Sequence, residues 1–241
     1  ISLVSKIALV TGASSGIGAA IALKFAEHGS KVAIVGRNEN KFNNVSKLCK
    51  KYGNEPLTII ADVSKDEDTK KIITETINFF GRLDILVNNA GIGETTSILD
   101  DNTNLRSAVY LTHLAAKHII ETKGNIINIS SIAGQRVLMQ KSFSYSTSKA
   151  GLEHFTRCIA MELGVKGVRV NAINPGPVKT VFFFLNMGFD KTIADQTWEV
   201  VKKSTVLNKV GDAEEIARSI TGSTIISDNG TVLMGLINKI Y

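Results

Sequence analysis

Seven short runs rich in valine and isoleucine, separated by longer stretches of mixed polarity, constrain this chain more than any other feature. They read KIALVTG (6–12), KVAIVG (31–36), PLTIIA (56–61), LDILVNN (83–89), GNIINIS (124–130), GVRVNAIN (167–174) and STIIS (223–227). Nearly continuous apolar runs of this length suit strands covered on both faces, whereas a strand with one wet face would alternate. Between them lie amphipathic stretches such as AAIALKFAEHG (19–29) and SKDEDTKKIITETINFFG (64–81). This alternation predicts an α/β fold: a doubly wound parallel sheet of about seven strands with helices on both faces. No repeat, low-complexity tract or linker interrupts it, so residues 1–241 are expected to form one domain.

Composition narrows the function class. Only two cysteines, Cys49 and Cys158, are present, too few for a secreted disulfide framework, which predicts a reducing, cytoplasmic setting. The opening ISLVSKIALVTG lacks a basic leader followed by a long apolar run, so no signal peptide is expected, and no apolar stretch is long enough to span a bilayer. A net charge of +6 invites nucleic acid as partner, but the lysines are dispersed among acids and apolar residues (KLCKK, DTKKI). Solvated helix faces explain that pattern better than a nucleic-acid surface. The four histidines do not group with strand-end acids, so no metal is expected.

The first strand runs into TGASSGIG (11–18) and then directly into a helix. Gly12, Gly16 and Gly18 allow a sharp turn and close backbone approach. Around Ser14, Ser15 and Ile17 the exposed N–H groups and the helix dipole suit a pyrophosphate. The spacing differs from G-x-G-x-x-G but serves the same mechanics. After the second strand comes Gly36-Arg37-Asn38 rather than a carboxylate. An acid there would hold free ribose hydroxyls; Arg37 can instead fork onto a 2′-phosphate, which predicts NADP(H), although a surface arginine is the plain alternative. Asp62 and Val63 follow the third strand, where Asp62 either touches an adenine or caps the next helix. Asn88-Asn89-Ala90-Gly91 ends the fourth, with side chains small enough to admit a cofactor.

Within SFSYSTSKAGLEHF (142–155), Tyr145 precedes Lys149 by one helical turn, so both side chains share a face. A neighbouring ammonium favours the phenolate and is expected to lower the tyrosine pKa toward working pH. Ser131, at the end of the fifth strand, is placed to hydrogen-bond the same substrate oxygen.

In order and rough spacing, TGASSGIG, NNAG, Ser131 in ISS, YSTSK and NPGPVKT resemble the short-chain dehydrogenase/reductase family, from about Lys6 to Gly230. The resemblance implies a Rossmann-type sheet, NADP(H), and assembly as a homotetramer or homodimer. It implies Tyr145 as acid/base, Lys149 as the ribose holder that lowers the tyrosine pKa, and Ser131 as the group orienting the carbonyl. Asn104 in NTNLRS, with Asn102 as a competitor, matches the asparagine that holds a relay water. Asn89, Ala90 and Gly91, with Pro175, Gly176, Val178 and Thr180, match the segments that line the cofactor.

Two connections, around 98–104 and 217–219, are shorter than is usual in that family, which points to segments missing from the chain as written. Finally, VFFFLNMGFDKTIADQTW begins a substrate lid at about 181–205 whose phenylalanines suit a lipophilic small-molecule ketone or alcohol; core or subunit packing is the alternative. The corresponding reaction interconverts a carbonyl and a secondary alcohol. Competing readings are a 3-oxoacyl thioester reductase and a dinucleotide-binding protein without catalysis.

Overall fold

The computed structural model describes residues 3–53, 55–92, 103–137, 142–180, 191–205, 207–218 and 225–227. Seven strands are found: β1 (Ile7–Thr11), β2 (Lys31–Gly36), β3 (Leu57–Ile60), β4 (Ile85–Asn88), β5 (Asn125–Ile129), β6 (Arg169–Pro175) and β7 (Ile225–Ser227). They form one sheet in the order β3-β2-β1-β4-β5-β6-β7, every pair parallel. Each apolar run contains its strand, except that β6 extends one residue further, to Pro175.

The helices are α1 (Gly16–Glu27), α2 (Glu39–Lys50), α3 (Asp66–Phe80), α4 (Thr103–Glu121), α5 (Phe143–Gly164), α6 (Lys191–Lys203) and α7 (Ala213–Arg218). Alternate residues of β1 feed opposite faces, as a strand period of two requires. Ala8 and Val10 pack with Ile21 and Phe25 of α1, Phe42 of α2 and Ile216 of α7. Ile7 and Leu9 pack with Ile72 of α3, Leu111 and Ile119 of α4 and Leu163 of α5. Burying both faces is why these strands read as unbroken apolar runs instead of alternating ones.

The order reverses between β1 and β4, the crevice where open α/β sheets bind ligands at their carboxyl ends. Asp84 fixes the opposite end of that pair. Its carboxylate accepts from the Ile7 N–H at 3.0 Å, from Lys6 and from Arg82, joining the start of β1 to the approach to β4. Of the two short connections expected from the sequence, residues 98–102 and 219 lie outside the described residues, as do residues 181–190 of the expected lid. Among the described residues no helix is long and apolar enough to cross a membrane.

Candidate active site

At the carboxyl end of β1 the backbone turns through Gly12, whose φ of +64° is a left-handed conformation. The turn leans on Asn89: its Nδ2 donates to the carbonyls of Thr11 at 2.8 Å and Gly12 at 3.3 Å. In return, the Thr11 hydroxyl accepts from the N–H groups of Asn89 and Ala90, each at 3.0 Å. A Cβ on Gly18 would lie 2.4 Å from both Asn89 Nδ2 and the Gly12 carbonyl oxygen, so the first turn of α1 sits directly against the loop. Thr180 closes the other side, its Cγ2 3.3 Å from where a Gly16 Cβ would stand.

This cradle suits an anion. Ser15 is the N-cap of α1, yet its side chain makes no capping hydrogen bond, and the first turn holds no acid. The N–H groups around Ser15, Gly16 and Ile17 are therefore left to a ligand, at the positive end of the helix dipole. By contrast, α2 is capped by Asn38 and α3 begins with Asp66, Glu67 and Asp68. A dinucleotide fits the groups present: a pyrophosphate at α1, with a basic side chain beyond it at the end of β2. There Arg37 is largely exposed, and Ser14 Oγ lies 3.3 Å from the position of a Gly36 Cβ.

Asp62 departs from one of its two expectations, that of capping the next helix. One carboxylate oxygen accepts from the Ser64 N–H at 3.0 Å and hydroxyl at 2.8 Å; the other lies 3.8 Å from Arg37. Burial alone would raise this carboxyl, but the Ser64 bonds and the Arg37 guanidinium together hold it below its ordinary value. The N-cap of α3 is Lys65, so Asp62 folds its own turn instead of capping the helix. Val63, half-buried, accepts at its carbonyl from the Thr69 hydroxyl.

Ser131 leaves β5 at the start of a one-turn 3₁₀ segment (Ile132–Gly134), its Oγ accepting from the Ala133 N–H at 3.1 Å. Tyr145 lies in the first turn of α5, half-buried, and its phenol is hydrogen-bonded to the Ser131 side chain. Lys149 follows on the same face, 5% exposed, its Nζ 5.6 Å from the tyrosine ring centroid. The three side chains converge at the carboxyl edge of the sheet beside Gly91, where a Cβ would come within 3.8 Å of Lys149 Nζ and 3.1 Å of Asn104 Oδ1.

The expected lowering of the Tyr145 pKa by Lys149 is corrected by this geometry. Burial raises the phenol above its ordinary value, and the Ser131 hydrogen bond is what opposes it. Lys149 instead donates to the Ile129 carbonyl at 2.7 Å, and burial brings its own pKa down to about 8. An ammonium that is itself costly to charge in this setting does little to ionise its neighbour.

Asn104 begins α4 and clamps the chain after β4. Its Oδ1 accepts from the Ile92 N–H at 2.7 Å and its Nδ2 donates to the Ile92 carbonyl at 2.8 Å. The same Nδ2 reaches Ser148 Oγ at 3.4 Å, and Ser148 donates to the Tyr145 carbonyl at 2.7 Å. The competitor Asn102 lies outside the described residues. Pro175 ends β6, and Gly176 leads to Val178, which bridges to Gly211. Thr11, Ser130, Ser148, Glu153 and Asn174 were not singled out in the sequence; for Glu153 the signal was its spacing, one turn beyond Lys149 on the face shared with Tyr145.

A parallel sheet reversing at a glycine-rich helix start, with serine, tyrosine and lysine gathered at that edge, defines a dinucleotide-dependent oxidoreductase of the doubly wound α/β class. The short chain dehydrogenase family model matches residues 6–184, and the chain belongs to that family. It is 36% identical over 250 residues to an uncharacterized oxidoreductase of Thermotoga maritima, covering 94% of this chain and 97% of that protein. With a 3-oxoacyl-(acyl-carrier-protein) reductase of Chlamydia muridarum it shares 34% identity, covering 95% and 98%. A short chain dehydrogenase from Burkholderia cenocepacia, solved in complex with NADP, superposes with a TM-score of 0.84 at 31% identity, covering 96% of this chain and 100% of that one. The chain is thus an oxidoreductase of a family that acts on alcohol and carbonyl groups with NAD(P)(H).

Proposed function

We propose that this protein is an NADP(H)-dependent reductase that interconverts a lipophilic ketone and its secondary alcohol. The observation that carries the reading is the hydrogen-bonded Ser131–Tyr145 pair beside the glycine turn, with Lys149 on the same helix face. Bound NADPH supplies the hydride that the carbonyl carbon accepts. Ser131 donates its hydroxyl proton toward the carbonyl oxygen and holds it beside the phenol. Tyr145 gives that oxygen its proton, so the carbonyl becomes a carbinol and the phenol becomes a phenolate. Lys149 and the Asn104 region refill the phenol with a proton from solvent. A phenol whose pKa is raised by burial is suited to the acid role in the reduction.

NADP(H) is favoured by the chemistry at the end of β2. Arg37 is largely exposed, its guanidinium 3.8 Å from Asp62, and no carboxylate ends the strand, so a 2′-phosphate finds a cation there. The Burkholderia relative bound to NADP supports the same choice. Residues Gly12 to Gly18, Asp62, Val63, Asn89 to Gly91, Pro175, Gly176, Val178 and Thr180 would line the dinucleotide. Lipophilic preference rests on VFFFLNMGF in the 181–205 lid. Assembly as a homotetramer or homodimer is supported by the bare apolar side chains of Met161 on α5 and Val165 at its C-cap, 84% and 88% exposed.

A second reading, 3-oxoacyl thioester reduction, is supported by the Chlamydia relative. One panel separates them: a steroid ketone, a 3-oxoacyl thioester and an aldose, each with NADPH and with NADH. The proposal expects the steroid ketone with NADPH to give the highest kcat/KM. Fastest turnover of the thioester would install the second reading, and no turnover of any probe would leave only dinucleotide binding.

A further inference from the structure

We propose that Glu153 is a positioning residue whose buried carboxylate holds the Ser131 turn and the end of β6 against the helix that carries Tyr145 and Lys149. This rests on the role given to Ser131 above. Glu153 is 7% exposed and lies one turn beyond Lys149 on α5. Three donors from two other segments converge on it. Asn174 Nδ2, just before Pro175, donates to Oε1 at 2.9 Å; Ser130 Oγ reaches Oε1 and Gln135 Nε2 reaches Oε2, each at 3.4 Å.

These contacts bracket the serine. Ser130 precedes Ser131, and its single hydroxyl hydrogen is shared between Glu153 Oε1 and the nearer Lys149 carbonyl, 3.1 Å away. Gln135 follows the one-turn segment on its other side. Between them Gly134 presses so closely that a Cβ there would lie 2.6 Å from Glu153 Oε1 and 2.9 Å from the Ala150 nitrogen. The carboxylate therefore bonds the turn at both ends, and at Gly134 it leaves no room for a side chain. Packing alone would be served as well by leucine or methionine at this buried helix position. An ionisable side chain is tolerated there because its neighbours are donors, and a carboxylate is the acceptor-rich group that can answer all of them at once. A hydroxyl displaced by about 1 Å from its reacting partner costs roughly a hundredfold in rate, so a clamp on this turn acts on catalysis.

The test is a double-substitution cycle. Ser131→Ala, Glu153→Gln and the pair are compared for kcat and KM on the carbonyl probes above with NADPH, and for NADPH affinity by fluorescence. Glu153→Gln keeps the volume but turns an amide NH₂ toward one of the donors. Expected for it is a fall in kcat of roughly ten- to a hundredfold, with KM and NADPH affinity within about threefold of the parent. The double variant should be no slower than Ser131→Ala, because a clamp has nothing to position once the hydroxyl is gone. The alkaline limb of the kcat/KM profile should also move upward in Glu153→Gln, in the direction that Ser131→Ala moves it. Should Glu153→Gln not fold, the exposed Gln135→Met removes one latch, and a few-fold loss of kcat that vanishes in the Ser131→Ala background is expected. Independent, multiplying losses would overturn the proposal, as would parental kcat in Glu153→Gln. Parental kcat in Ser131→Ala would overturn the reading of Ser131 and this inference with it, whereas a loss confined to Ser131→Ala would sink only the role of Glu153.

Discussion

Lys149 Nζ stands 5.6 Å from the centre of the Tyr145 ring, yet its hydrogen bond goes to the Ile129 carbonyl at 2.7 Å. Burial thus drives both groups toward their neutral forms, the phenol upward and the amine down to about 8. Under the proposed function, a phenol whose pKa is raised in this way serves as the proton donor to a developing alkoxide.

Tyr145→Phe removes that proton and little else. Turnover is expected to fall by about 10²–10⁴-fold while NADPH affinity stays near the parent value. Steady-state kinetics with fluorescence titration of NADPH checks it; retained turnover would remove the assigned role.

Lys149 gives stability an unusual pH dependence. Its folded pKa, about 8, lies below the ordinary 10.5, so between these values the unfolded chain binds a proton that the folded chain does not. Stability from this group therefore rises with pH across that window, and its cost is fully present below pH 8. Lys149→Met should be more stable than the parent by roughly 3 kcal/mol at pH 7, with the gap narrowing above pH 8. Urea melts of both proteins at pH 7, 9 and 10 measure this, and a gap independent of pH would refute it.

At the end of β2, Arg37→Asp replaces the cation offered to a 2′-phosphate with a like charge. Loss of a charge-assisted bond of about 1.5–3 kcal/mol predicts a drop of roughly ten- to a hundredfold in NADPH affinity. NADH should then bind as well as or better than NADPH. Equal NADPH affinity in parent and variant would overturn the nucleotide choice.

Gly18 and Gly164 make a matched pair. A methyl on Gly18 meets a backbone oxygen at 2.4 Å, which cannot move aside cheaply, whereas Gly164 near the end of α5 has nothing within 4 Å. Gly18→Ala should lose about 1–3 kcal/mol and weaken dinucleotide binding; Gly164→Ala should gain about 0.5–1 kcal/mol through helix propensity. Thermal melts with and without NADPH read both, and equal effects would contradict the packing described for the glycine turn.

Much of the fold was legible in the chain because burial on both faces writes itself as unbroken apolar runs. Each of the seven observed strands lies in such a run, with β6 overshooting only to Pro175. Tyr145 and Lys149 were legible too, since helical spacing alone puts them on one face. Asp62 was not. Its competing partners, Ser64 two residues on and Arg37 across a strand boundary, are equal in a linear text, and only distance ranks them.

By itself the sequence determined the strands, the helices between them and the spacing that puts Tyr145 and Lys149 on one helix face, because periodicity and local spacing are properties of neighbours along the chain. The tertiary structure decided the strand order, the pairing of Asn89 with the glycine turn, the pKa directions of Tyr145 and Lys149, and the convergence of Ser130, Gln135 and Asn174 on Glu153. Those depend on desolvation and on contacts between residues far apart in the chain, and both come into being only when the sheet and its helices pack.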